Sequence, residues 1–216
     1  MRKGQLISFE GLDGAGKTTQ LELLAGWLRG QDIAYIQTRE PGGTSLGAEI
    51  RHLLFGRPEL TITPLAEAFL FQADRAQHFS SLILPALEAG KIVITDRCLD
   101  SSIAYQGAAR KVGEELVKHL SLIATQEHVP DLTILLDLDP LLVNRRTAVD
   151  QDKRSIREAQ SRFDRETEQF HRRLREAFLR LAQAEPERIK VIDASLPPEQ
   201  IHQKVLALVI AQLDKK

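Results

Sequence analysis

The chain of 216 residues has one cysteine, Cys98, so no internal disulfide can staple it. It has no apolar run long enough to cross a bilayer as a helix. It also lacks an excess of either charge: Lys and Arg number 29 against 30 Asp and Glu, a net charge of -1. No global basic field therefore argues for nucleic acid, and no polybasic tail argues for a membrane surface. Met1-Arg2-Lys3-Gly4 leads straight into a first apolar strand, which leaves no room for a signal peptide. Internal repeats, low-complexity linkers and composition shifts are absent. These absences together predict one soluble, cytoplasmic domain over residues 1–216, long enough to bury a substantial core.

What the chain does have is a rhythm. Apolar runs at Gln5–Phe9, Ile33–Thr38, Lys91–Thr95, Leu132–Asp137 and Arg188–Asp193 read as strands, with helical stretches between them. The last stretch places Ile201, Val205, Leu208, Val209 and Leu213 on one face of a helix. Strands alternating with helices predict an α/β fold, a five-stranded parallel sheet covered by helices on both faces.

The sharpest motif joins the first strand to the first helix. Gly11, Leu12, Asp13, Gly14, Ala15, Gly16, Lys17 and Thr18 spell G-x-x-x-x-G-K-[ST], with an apolar helical pattern from Thr18 and Thr19 onward. The glycines let backbone N–H groups converge on phosphate oxygens. The helix N-terminus adds partial positive charge, Lys17 neutralises β- and γ-phosphates, and the Thr18 hydroxyl can ligate Mg²⁺. The motif predicts nucleoside triphosphate binding.

A second feature is charge density. Arg145, Arg146, Lys153, Arg154, Arg157, Arg162 and Arg165 crowd the stretch 145–165 among few apolar anchors. A solvated helix face laced with ion pairs is one reading. The other is an arginine-rich lid that brings charge to a transferred phosphoryl group, which Lys17 alone does not supply.

Four further segments narrow the reading: Thr38-Arg39-Glu40-Pro41-Gly42-Gly43-Thr44, Phe71-Gln72-Ala73-Asp74-Arg75, Asp96-Arg97, and Ser101-Ser102-Ile103-Ala104-Tyr105-Gln106-Gly107. With the Glu10–Thr19 loop, this ordered set resembles the thymidylate kinases of the bacterial type, from the first strand to the last helix. The resemblance implies a P-loop NTPase fold and transfer of the ATP γ-phosphoryl group to dTMP, with Mg²⁺. It implies that Phe71 stacks on thymine and Arg75 donates to thymine O4. Arg39 and Arg97 would meet the acceptor phosphate, and Asp13 would lie near Mg²⁺ and the 3′-OH. Tyr105 would sit where a ribose carries its 2′-OH, with Ser102 and Gln106 as polar contacts to the base. Thr18, Asp13 and Asp96 are the candidate metal ligands, and Arg146 joins residues 11–19 as a candidate ATP contact. An ion pair at the strand end is the structural alternative for Asp96 and Arg97, and core packing is that for Phe71.

Two departures from the family pattern bear on the lid. Its D-R-[FI]-E signature is Ser161-Arg162-Phe163-Asp164 here, and Gly14 stands where some relatives carry a loop arginine. The catalytic arginine must come from elsewhere, and Arg154 and Arg157 are the first candidates. A kinase of another pyrimidine nucleotide is the alternative function. The absence of an N-K-x-D motif argues against a GTPase-type switch. The segment Leu65–Ala76 is apolar around most of its circumference, which predicts a homodimer packed through this helix.

Overall fold

The computed structural model describes residues 4–142, 163 and 166–215. Its centre is a parallel sheet of strands β1 (Gln5–Gly11), β2 (Tyr35–Arg39), β3 (Ile92–Asp96), β4 (Leu132–Asp137) and β5 (Ile189–Asp193). The strand order is β2-β3-β1-β4-β5, so β1 lies in the middle and β2 at one edge. The register pairs Phe9 with Asp96 and Arg39 with Asp96, which brings the carboxyl ends of β1, β2 and β3 to one rim.

Strand alternation divides β1 between the two layers. Ile7 and Phe9 join one core with Leu21, Leu24 and Leu28 of α1 (Lys17–Gly30). Ile201, Val205, Val209 and Leu213 of the last helix, α8 (Pro198–Leu213), complete it, with Leu208 packed at its margin. Leu6 faces the other layer, with Val93, Phe79 and Ile83. That layer contains α3 (Pro64–His78), a π-helical turn at Phe79–Ile83, α4 (Leu84–Glu88), α5 (Leu99–Ser102), a second π-helical turn at Ile103–Ala109, α6 (Glu114–Ala124) and α7 (Glu168–Ala184). Helix α2 (Ser45–Phe55) packs on α3 and begins at Thr44, whose hydroxyl accepts the Gly47 N–H at 3.0 Å.

The expected strands are all present, with shifted ends. The second begins at Tyr35, not Ile33, because the Ile33 N–H caps α1 at the Leu28 carbonyl. The first runs on to Gly11, which pairs with Leu136 of β4. A side chain at Gly11 would fall 2.4 Å from the Leu136 carbonyl, so the loop's first glycine answers to crowding as well as to its φ of 131°. Among the described residues no helix is long and apolar enough to cross a membrane. Apart from Phe163, the lid stretch, with Arg146, Arg154 and Arg157, lies outside the described residues.

Candidate active site

The phosphate loop leaves β1 at Gly11 and enters α1 at Lys17, with Gly14 and Gly16 in the left-handed region at φ 81° and 96°. Only glycine adopts such angles without strain, and they turn consecutive N–H groups toward one point. Lys17 is buried against its own loop and donates to the Leu12 carbonyl at 3.0 Å and the Gly11 carbonyl at 3.3 Å. Burial and then the Arg97 charge hold its pKa below the ordinary lysine value, despite Asp13 at 3.7 Å.

Arg97 follows β3 with a φ of 72°. Its guanidinium donates to the Gly11 carbonyl at 3.1 Å, Ser101 Oγ at 2.9 Å, Asp13 Oδ1 at 2.6 Å and the Tyr105 hydroxyl at 3.0 Å. It also lies over the Tyr105 ring, 4.9 Å from the centroid. Burial works against its charge, but Tyr105, Asp13 and Asp96 hold its pKa above the usual arginine value. Burial likewise opposes ionisation of Asp13, yet Arg97 and Lys17 outweigh it and draw the acid down to about 2. Arg97 therefore ties the phosphate loop to the helix that carries Tyr105, so the expected pair Asp13 and Arg97 is together.

Beneath this pair lies Glu10, fully buried in β1. Its carboxyl accepts the Cys98 N–H at 2.7 Å and meets Ser101 Oγ at 2.5 Å. Burial, then the neighbouring Asp100, pushes its pKa up to about 8. Glu10 thus braces Arg97 through Ser101, a role the motif reading did not assign. The signal was available: an acid inside a buried strand needs partners.

The metal candidates divide. Asp96 Oδ1 is buried with no partner among the described residues, and Thr18 is exposed at the start of α1. Two hard oxygen donors beside the loop suit Mg²⁺. Asp13 commits Oδ1 to Arg97 and does not extend that pair as it stands.

The expected substrate residues divide too. Tyr105 and Phe71 share one aromatic cluster, in which Phe163 packs 4.8 Å from Tyr105 and 6.5 Å from Phe71, centroid to centroid. Arg110 lies over the Phe163 ring at 5.3 Å and also reaches Glu67 and Glu166. Ser102 Oγ is buried without a partner among the described residues. Gln106 donates to Glu67 Oε1 at 3.0 Å. Arg39 is exposed at the end of β2.

Arg75, expected to donate to thymine O4, is held here by acceptors of the protein itself. The side chain is 1% exposed. Nε and Nη2 meet Glu40 Oε2 at 2.9 and 2.8 Å, Nη1 donates to Gln72 and Ser121, and Nη2 donates to the Cys98 carbonyl. Four hydrogen bonds and one ion pair thus engage the guanidinium within the protein. Glu40 and His78, its partners in this network, were not singled out by the motif reading, because a buried pair leaves no periodic trace.

The chain is similar over most of its length to known proteins of one family. The family model described as thymidylate kinase matches residues 9–205. The chain is 50% identical over 200 residues to a thymidylate kinase of Leifsonia xyli, covering 93% of this chain and 91% of that one. It is 42% identical over 211 residues to a thymidylate kinase of Symbiobacterium thermophilum, covering 97% and 94%. Its fold is similar to the crystal structure of thymidylate kinase from Ehrlichia chaffeensis, with a TM-score of 0.76, 33% identity, and 96% and 99% of the two chains covered.

Proposed function

This chain belongs to the thymidylate kinase family, and from that premise we propose that it transfers the γ-phosphoryl group of ATP to dTMP, giving dTDP and ADP. One observation carries the reading: Lys17, Arg97, Asp13 and Asp96 converge where β1 and β3 end, the place where open α/β sheets bind ligands. The loop N–H groups and Lys17 receive the triphosphate. Arg97, poised between Gly11 and Tyr105, stands at the border between donor and acceptor. Arg39 reaches the acceptor phosphate from the end of β2, and Phe71 and Tyr105 offer ring surface to base and sugar. Thr18 and Asp96 would hold Mg²⁺, which supplies charge neutralisation at the phosphates when bound. Arg154 and Arg157 remain the lid arginines proposed for the transferred group.

The protein also acts as a homodimer in this reading, in the cytoplasm where its nucleotides are. Leu65 and Phe69 of α3 are 46% and 53% exposed, and Ala66, Ala73 and Ala76 extend the same stripe. The preceding helix α2 leaves these side chains uncovered, so a second copy is the natural cover.

A coupled ADP-release assay over dTMP, dUMP, dCMP and UMP tests the function. We expect dTMP to be turned over fastest, with dUMP behind it by the one-methyl margin of about 1–3 kcal/mol. Preference for dCMP or UMP would transfer the reading to another pyrimidine nucleotide kinase.

A further inference from the structure

Arg39 is the least supported of the arginines assigned to the acceptor phosphate. It ends the edge strand β2, is exposed, and its guanidinium makes no hydrogen bond or ion pair among the described residues. A long cation on a sheet edge gives little rate or affinity unless its backbone is held. What holds it comes from α3.

His78 is fully buried at the end of that helix. Its Nε2 lies 2.7 Å from Thr38 Oγ1 and its Nδ1 lies 3.1 Å from Glu40 Oε1. Thr38 and Glu40 are the residues on either side of Arg39. Strand alternation puts their side chains on one face and Arg39 on the other. A single imidazole therefore grips both neighbours of Arg39 from behind. One neutral tautomer satisfies both contacts: Nδ1–H donates to the Glu40 carboxylate, and the Thr38 hydroxyl donates to Nε2. Glu40 is pinned in turn by Arg75 on its other oxygen, at 2.8 Å, and by its own N–H to the Asp96 carbonyl at 2.9 Å.

The turn that follows is moulded to the same ring. A side chain added at Gly43 would fall 2.4 Å from His78 Nε2 and 2.6 Å from Thr38 Oγ1. The adjacent Gly42 N–H donates to Asp74 Oδ1 at 3.0 Å, and Arg51 donates to the Pro41 carbonyl at 3.2 Å. Asp74 and His78 are four residues apart on α3 and so share one face. The helix offers this face to the turn, and the glycines let the turn lie flat on it.

We propose that His78 is the positioning residue that aims Arg39 at the acceptor's phosphate, a role that rests on the dTMP kinase reading above. The contact specifies which part of the substrate the clamp serves. It should matter for a nucleotide and not for the nucleoside that lacks the phosphate.

The test compares wild type, His78→Ala, Thr38→Val, Arg39→Ala and the His78→Ala/Arg39→Ala double variant. Calorimetric titration with dTMP and with thymidine is read beside initial rates. His78→Ala should raise Kd and KM for dTMP by about tenfold to 10²-fold, the cost of displacing a reacting partner by around an ångström. Thymidine Kd and KM for ATP should change by less than about twofold. In the Arg39→Ala background, His78→Ala should add less than about twofold, since coupled sites are not additive. Equal weakening of dTMP and thymidine, or full additivity with Arg39→Ala, would overturn the proposal. If His78→Ala does not fold, Thr38→Val carries the same comparison, because it keeps the ring and removes one half of the clamp. A dTMP-selective loss in that variant supports the role, and an unselective loss or none refutes it. Failure of the kinase reading shows separately, as absence of ADP release from dTMP with wild-type protein, and takes the proposal with it.

Discussion

Replacing Lys17 by Met should separate catalysis from folding. The Lys17 side chain is 6% exposed and its ammonium donates to two loop carbonyls at 3.0 and 3.3 Å. Each such bond contributes about 1 kcal/mol net, and the pair with half-exposed Asp13 contributes about 1 kcal/mol at most. Against these stands the desolvation of a buried cation, several kcal/mol by general experience. Methionine fills similar space, removes the charge and leaves Asp13 its shorter contact to Arg97. The net change in stability should stay within about 2 kcal/mol of zero, or less than about 8 °C in Tm for a chain of this size. Turnover should fall by at least about 10²-fold, the usual loss of one preorganised charge partner. Thermal melting and the coupled assay on the same preparation decide it. A Tm loss larger than this bound, or near-normal turnover, would refute the reasoning.

Four more outcomes are expected. Arg75→Ala should destabilise the fold by about 3–5 kcal/mol, because it strands the buried Glu40 carboxylate; unchanged melting would reject that structural role. Glu10, with its pKa up at about 8, keeps a proton that the unfolded chain has already lost, so stability should fall as pH rises from the ordinary carboxylate range to about 8. The slope is at most about 1.4 kcal/mol per pH unit, and Glu10→Gln should flatten it in melting curves; parallel curves for the two proteins would reject the assignment. Arg154→Ala with Arg157→Ala should lower kcat by about 10³-fold with little change in dTMP affinity, while normal turnover would make the run a solvated helix face. Light scattering should give twice 24.2 kDa for wild type and 24.2 kDa for Leu65→Glu/Phe69→Glu, and a wild-type monomer would remove the dimer.

Features written in local spacing were legible in advance. The phosphate loop, the parallel sheet and the buried face of α8 each depend on residues a few positions apart, so periodicity and glycine placement expose them. Strand ends were not, because they depend on partners: Ile33 reads as strand until its N–H is seen capping α1. The site shows the same division. Lys17 and Asp13 belong to one motif, whereas Glu10 with Ser101 and His78 with Thr38 span 91 and 40 residues. The partners of Arg75 were hidden for a related reason. A motif match gives residue identity and spacing, but whether a guanidinium faces ligand or core depends on where its carboxylate partner folds. Phe163 sits inside the charge run and reads as incidental until the fold sets it against Tyr105.

Cys98 joins the two buried networks through its main chain, giving its N–H to Glu10 and its carbonyl to Arg75. Its thiol takes no part in either and is fully enclosed. Burial, followed by the Glu40 charge, lifts its pKa well above the ordinary thiol value, so almost none of it is thiolate at neutral pH. Maleimides, iodoacetamide and mild oxidants should therefore pass the native protein by. The chain comes ready for site-directed labelling: one cysteine placed at any exposed position is the sole reactive handle, with no native thiol to delete first.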